Sequence, residues 1–230
     1  MSDSLADAMS NDVWRSQVAD VGVRPPDDAG FRGVARLVVG RLASKYEMGA
    51  WMVTRVDAED WTMLEVADRT YGIQPGDRFR WEDSYCSRMV VGEAPQIAGD
   101  SRTVDTFRTQ GINLHATIRS YLGAPIRSGD GTLFGTLCAI DPDTRRFDEY
   151  RVATWLEKSA ETLNSVLALE EAGFRRAWES LERRTSGARF GIHRAEDWLR
   201  FVALARRRAL SIGTPYGLLV ISRPTRGDLP

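Results

Sequence analysis

The sequence predicts an α+β fold, an antiparallel sheet with helices packed on its faces. Three observations carry that prediction. Two long segments repeat their apolar residues at helical spacing. Between them lie short runs rich in β-branched and aromatic residues, bounded by turn formers. The order is helix, two strands, short helix, strand, irregular stretch, two strands, long helix, which is an α+β order.

Each element has its own warrant. Phe31, Val34, Ala35, Leu37, Val38, Leu42 and Tyr46 recur at i, i+3, i+4, i+7 and predict a helix over roughly 30–47. Residues 51–56 and 61–66 read as strands, with Asp57-Ala58-Glu59-Asp60 as the turn. Asp83 or Ser84 can cap a short helix through Tyr85, Cys86, Met89 and Val90. Residues 95–98 form a short strand ending at Asp100, which can in turn cap a helix over about 103–109. Residues 118–126 and 132–140 pair as a hairpin, and Gly129-Asp130-Gly131 supplies positive-φ positions for its turn. Alternation puts Phe134, Thr136, Cys138 and Ile140 on one face of the last strand, and Leu133, Leu137 and Ala139 on the other. A second amphipathic helix starts near Asp148 and presents Val152, Trp155, Leu156, Ala160, Leu163, Val166 and Leu167. The apolar spacing runs on through Phe174, Trp178 and Leu181, and only Gly173 argues for an earlier stop. The 30–47 and 148–170 helices are expected on one face of the sheet.

Composition limits the function classes. The 230 residues allow one domain with substantial extra material, or two small domains. Hydrophobic residues are 43% and charged residues 27%, as in an ordinary soluble globular protein. The formal net charge of −1 gives no overall field toward nucleic acid or membrane. No apolar run approaches the roughly 18 residues that span a bilayer. The acidic start lacks the basic and apolar segments of a signal peptide, and two Cys make no disulfide framework. A cytoplasmic protein is expected. Residues 1–28 read as an acidic lead-in, with six Asp against Arg15 and Arg24. Residues 172–210 carry ten Arg against Glu179, Glu182, Glu196 and Asp197, and read as a solvated helical face. No nucleic-acid motif is interleaved with these arginines.

Ser84-Tyr85-Cys86, the 95–100 strand, Tyr121-Leu122-Gly123-Ala124-Pro125-Ile126, Gly129-Asp130-Gly131 and Gly135-Thr136-Leu137-Cys138-Ala139-Ile140-Asp141 stand in an order that resembles the core of a GAF domain. The variant is the one found ahead of bacterial signalling output domains. The resemblance covers about 29–170 and implies a sensory or regulatory module with a small-molecule pocket between the sheet and the short helices. Arg194-Ala195-Glu196-Asp197-Trp198-Leu199 and Gly213–Ser222 more faintly resemble the opening helix and first strand of a GGDEF diguanylate cyclase domain. The metal-binding Asp is missing, Ser222-Arg223-Pro224 standing there, and no Gly-Gly-Asp/Glu-Glu-Phe loop follows. Two-metal phosphoryl transfer needs both. Residues 171–230 are therefore expected to be a helical linker and a short degenerate α/β tail, without diguanylate cyclase activity.

Aromatic walls with a few polar tips suit a small-molecule site, and Trp81, Ser84, Tyr85, Met89, Asp100, Phe107, Tyr121 and Thr136 are the candidate ligand-binding residues. Asp100 could accept from a ligand, although capping is the commoner role. Arg119 could pair with an anionic ligand or lie on a solvated face beside Arg127. A pocket collapsed onto Trp81 and Tyr85 is the contrasting expectation. Cys86 and Cys138 border the same cavity and are the candidate redox pair, although a buried Cys usually behaves as a small hydrophobe. A methionine-sulfoxide reductase sets its cysteines in a different local sequence, and bilin attachment wants a His beside the Cys, whereas His115 and His193 adjoin neither. Cyclic-nucleotide GAF domains carry an Asn-Lys…Phe…Asp-Glu signature, while Phe147-Asp148-Glu149 here reads as a helix start. No metal-ligand spacing, nucleophile triad or phosphate loop is present, so no cofactor, metal or catalytic residue is assigned. The expected protein is a non-enzymatic regulatory module that binds an unknown small molecule and forms a homodimer through residues 148–183. The alternatives are a thiol-based redox enzyme or sensor, and an interaction module with a vestigial pocket.

Overall fold

The computed structural model describes residues 30–185 and 195–213. The lead-in at 1–28 and the tail strand expected after Gly213 lie outside the described residues. The described chain divides into two compact units that part between Arg175 and Arg176.

The first unit opens with α1 (Phe31–Lys45) and the hairpin β1 (Ala50–Asp57) and β2 (Asp60–Asp68). Ala58, at φ 53, makes the turn between those strands. A short edge strand, β3 (Arg78–Arg80), follows, then a 3₁₀ turn and α2 (Tyr85–Val90). Strand β4 (Ile97–Ala98), a second 3₁₀ turn, α3 (Asp105–Arg108) and a third turn over Gly111–Leu114 lead to the hairpin β5 (Ser120–Arg127) and β6 (Leu133–Asp141). The sheet order is β3-β2-β1-β6-β5-β4, antiparallel throughout. The α+β expectation therefore holds. β3 was not anticipated because only three residues pair, at an edge.

Residues 149–175 of helix α4 (Glu149–Thr185) and α1 cover one face. Phe31 donates its backbone N–H to Glu170 at 2.7 Å, and Lys45 Nζ lies 3.5 Å over the Trp155 ring. Glu65 of β2, buried on this side, accepts from Arg32 Nε at 2.8 Å and Arg36 Nε at 3.2 Å, which ties α1 to the sheet. Such a pair holds only because both carboxylate oxygens are met. The opposite face carries a second apolar cluster beneath the short helices, from Met52 and Met63 to Tyr85, Phe107 and Tyr121.

Three expectations are corrected. Phe134 does not share a face with Cys138. Ile126 pairs with Gly135 and Arg127 with Leu133, so Phe134 is the extra residue of a β-bulge. Its ring turns to α1 and meets Phe31 edge-on at 5.1 Å. Asp100 caps the 3₁₀ turn Ser101–Thr103, where it accepts from Arg102 N at 3.1 Å, and α3 has Val104 at its N-cap position and no side-chain cap. In the hairpin only Gly131, at φ 85, takes positive φ, and Asp130 holds the turn by accepting from Thr132 N at 3.0 Å.

Gly173 does not end α4, which runs 37 residues. In the second unit, residues 176–185 of α4 stand with α5 (Ala195–Ile212). Trp178 meets Phe201 edge-on at 4.9 Å and Leu181 is buried, so part of the apolar surface expected to seek another chain is met within this one.

Candidate functional site

Between the sheet and the short helices lies a cavity of about 430 Å³. Its floor is the inward row of the sheet: Met52 from β1, Trp61 and Met63 from β2, Tyr121 from β5, and Cys138 and Ile140 from β6. Strand alternation places each of them there, and Trp51 and Val53 turn the other way into the core. Asp68 curls the chain after β2 by accepting from the backbone N–H groups of Tyr71 at 3.0 Å and Ile73 at 3.2 Å, with Gly72 at φ 74 between them. That loop delivers Tyr71 and Ile73 to one wall. Ser84 caps α2 by accepting from Ser87 N at 3.1 Å and so orients Tyr85 and Cys86 toward another. Residues 115–118 close the remaining side, with His115 exposed at the rim.

Most polar side chains of the wall are already engaged. Tyr71 Oη donates to Thr117 O at 3.0 Å, Ser84 Oγ to Trp81 O at 2.8 Å, and Tyr85 Oη to Asn113 Oδ1 at 2.5 Å. Tyr121 Oη donates to Cys86 Sγ at 3.3 Å. Thr136 donates to Cys138 Sγ at 3.8 Å and exchanges a 2.8 Å hydrogen bond with Thr54. The Trp61 indole N–H is buried without a protein partner. Among the described residues no group of metal-ligating side chains is found.

Burial pushes the phenols of Tyr71, Tyr85 and Tyr121 up, so all three stay protonated at neutral pH. Burial also raises the Cys86 thiol, but hydrogen bonds from Cys138, Thr136 and Tyr121 outweigh it and bring Cys86 below an ordinary thiol. Cys138 is held well above that value by donating to Cys86 and by burial.

Of the residues expected at the site, Ser84, Tyr85, Cys86, Tyr121 and Cys138 line the cavity. Phe107 stands behind the wall, stacked on Tyr85 at 4.1 Å. Trp81 and Met89 belong to the same apolar cluster without lining the cavity, and Thr136 is buried beneath Cys138. Asp100 lies elsewhere, in two hydrogen bonds with Arg102 at 2.8 and 2.7 Å. The pocket is not collapsed. Sequence reasoning missed Met52, Trp61, Met63, Tyr71, Ile73 and Phe79, although strand alternation through the first hairpin was the available indication. Arg119 does not lie beside Arg127. It lines a separate cavity of about 270 Å³ with Arg102, Arg108 and Asn113, and this cavity shares Tyr85 and residues 116–118 with the larger one.

The GAF domain family model matches residues 32–169. The GAF domain of Acinetobacter phosphoenolpyruvate-protein phosphotransferase is 12% identical, with 62% of this chain and 85% of that chain covered at a TM-score of 0.50. A phycocyanobilin-bound GAF domain from a cyanobacterial phytochrome is 13% identical, covering 62% and 87%, at a TM-score of 0.51. Free methionine-R-sulfoxide reductase from Neisseria meningitidis, in complex with its substrate, is 18% identical, covering 68% and 88%, at a TM-score of 0.51. At these identities the likeness is one of fold. No curated protein matches the chain in sequence.

Proposed function

The chain belongs to the GAF domain family, and from that premise we propose that its first unit is a non-enzymatic sensory or regulatory module that binds a small molecule. The cavity of about 430 Å³ carries the reading. Its volume lies within the roughly 300–1,000 Å³ of small-molecule sites, and aromatic, methionine and aliphatic side chains together dominate its wall. Mass spectrometry of the intact, natively purified protein should find a co-purifying small molecule. A bare chain that no compound stabilises in thermal-shift screening would reject the reading.

The reading includes signalling through a homodimer built on residues 148–183. Leu169 and Tyr150 support it, since both are large and exposed on α4, Leu169 at 71%. Residues 171–230 read as a linker and a degenerate GGDEF remnant, and incubation with GTP and magnesium should give no cyclic di-GMP.

One observation favours a second, thiol-based reading. Cys86 and Cys138 line the same cavity, each accepting a hydrogen bond at sulfur from a neighbouring hydroxyl. Alkylation of the folded protein separates the two readings, because a working thiol must be reachable. Thiols that react only after unfolding leave the ligand-binding reading alone.

A further inference from the structure

We propose that the ligand of the larger cavity is an uncharged, largely apolar molecule with few hydrogen-bonding groups. The proposal rests on the ligand-binding reading above and narrows it. No Lys, Arg, Asp or Glu lines the cavity. The hydroxyls that do line it are largely committed: Tyr71 to Thr117, Ser84 to Trp81, Tyr85 to Asn113 and Tyr121 to Cys86. A phosphate, sulfonate or carboxylate entering here would leave water and meet no Lys or Arg, only the Thr70 and Thr117 hydroxyls, the rim imidazole of His115 and the Trp61 indole N–H. Burying an ion on those terms is among the costliest steps available to a protein. An apolar molecule loses nothing comparable, and Met52 and Met63 offer it polarizable thioethers beside the rings of Trp61 and Phe79.

The neighbouring cavity sharpens the contrast. Arg102, Arg108 and Arg119 line it, on the other side of Tyr85 and residues 116–118. Arg102 and Arg108 are paired with Asp100 and Asp105, and Arg119 adds its charge near Asp100. Positive charge is thus available close by, yet it stands outside the apolar wall. An anionic ligand would be drawn to the arginines and not to the larger cavity.

Two fluorescent dyes with fused-ring bodies test this on the full chain. One is the uncharged ketone prodan, and the other is the anionic anilinonaphthalene sulfonate. Prodan should bind with a blue-shifted emission and at least about tenfold more tightly than the sulfonate. Ala116→Trp, which fills the cavity from its rim, should weaken prodan by a similar factor. Circular dichroism checks that this variant folds, and if it does not, the wild-type ratio of the two dyes still decides.

A sulfonate that binds as tightly as prodan and displaces it would overturn the proposal while leaving a ligand-binding module intact. Loss of that binding in Arg119→Gln would assign it to the arginine cavity. Unchanged prodan affinity in folded Ala116→Trp also overturns the proposal. If neither dye binds, the proposal fails, and native mass spectrometry separately decides whether any ligand is bound.

Discussion

Gly123 stands opposite Cys138 in the β5–β6 ladder, directly beneath the Tyr121 hydroxyl. A Cβ there would overlap the oxygen that donates to Cys86. Gly123→Ala should therefore destabilise the protein by about 1–3 kcal/mol, as overpacking does, read from the urea midpoint. Asp141 is a second pivot. Its carboxylate is buried, accepts from Gly49 N and Asp143 N, both at 2.9 Å, and pairs with Arg145 at 2.9 Å. Asp141→Ala orphans those donors and should cost about 3 kcal/mol, while Asp141→Asn, which keeps an acceptor, should cost less. Equal losses in both variants would show that the donors are not what matters. Neither role was legible in advance. Both residues stand in motifs, but the Tyr121 ring folds over Gly123 only where Cys86 of α2 accepts its hydroxyl, and Gly49 N reaches Asp141 only when distant strands pair.

Helix and strand positions were far more legible than their exact faces. The amphipathic spacing located α1 and α4 within a few residues, since 3.6-residue periodicity is a property of the local chain. Phe134 was assigned to the wrong face because a bulge arises from pairing between strands and leaves no mark in one strand's alternation. The site was half legible for a related reason. Residues of α2, β5 and β6 came with recognisable motifs, whereas Trp61, Met63, Tyr71 and Phe79 reach the cavity through sheet order and an Asp68-centred loop. Gly173 supplies a prediction at this scale. It sits inside continuous α4, and a Cβ there would meet no atom within 4 Å. Gly173→Ala should raise stability by about 0.5–1 kcal/mol, seen as a higher Tm. A lower Tm would mean that the position needs glycine's freedom.

At the scale of the molecule, the first unit has its own core and its own cavity. A chain ending at Arg175 should thus unfold in one cooperative transition and keep the cavity's prodan affinity. A non-cooperative melt would show that residues beyond Arg175 are needed. Dimerisation belongs to this scale as well. Trp178 is a poor probe, because replacing it also breaks its packing on Phe201. Leu169 is a better one, being exposed on α4 within the first unit. Light scattering should give a dimeric mass for the wild type at tens of micromolar and a lower mass for Leu169→Glu. A monomeric wild type would end the signalling mechanism built on that helix.

The central ladder of the sheet also sets a timetable for synthesis. β1 pairs on one side with β2, a few residues away, and on the other with β6, where Val53 faces Leu137. On the ribosome, the β1–β2 hairpin emerges with one edge open and waits for that partner. At about 5–20 residues per second, the roughly 70 residues from the end of β2 to the end of β6 take some 4–15 seconds to make. Throughout that interval Met52 and Val53 belong to an unpaired apolar edge, the kind of template on which nascent chains associate. Chaperone dependence should accordingly be greatest on polysomes stalled between β2 and β6, and should fall once Asp141 has left the tunnel.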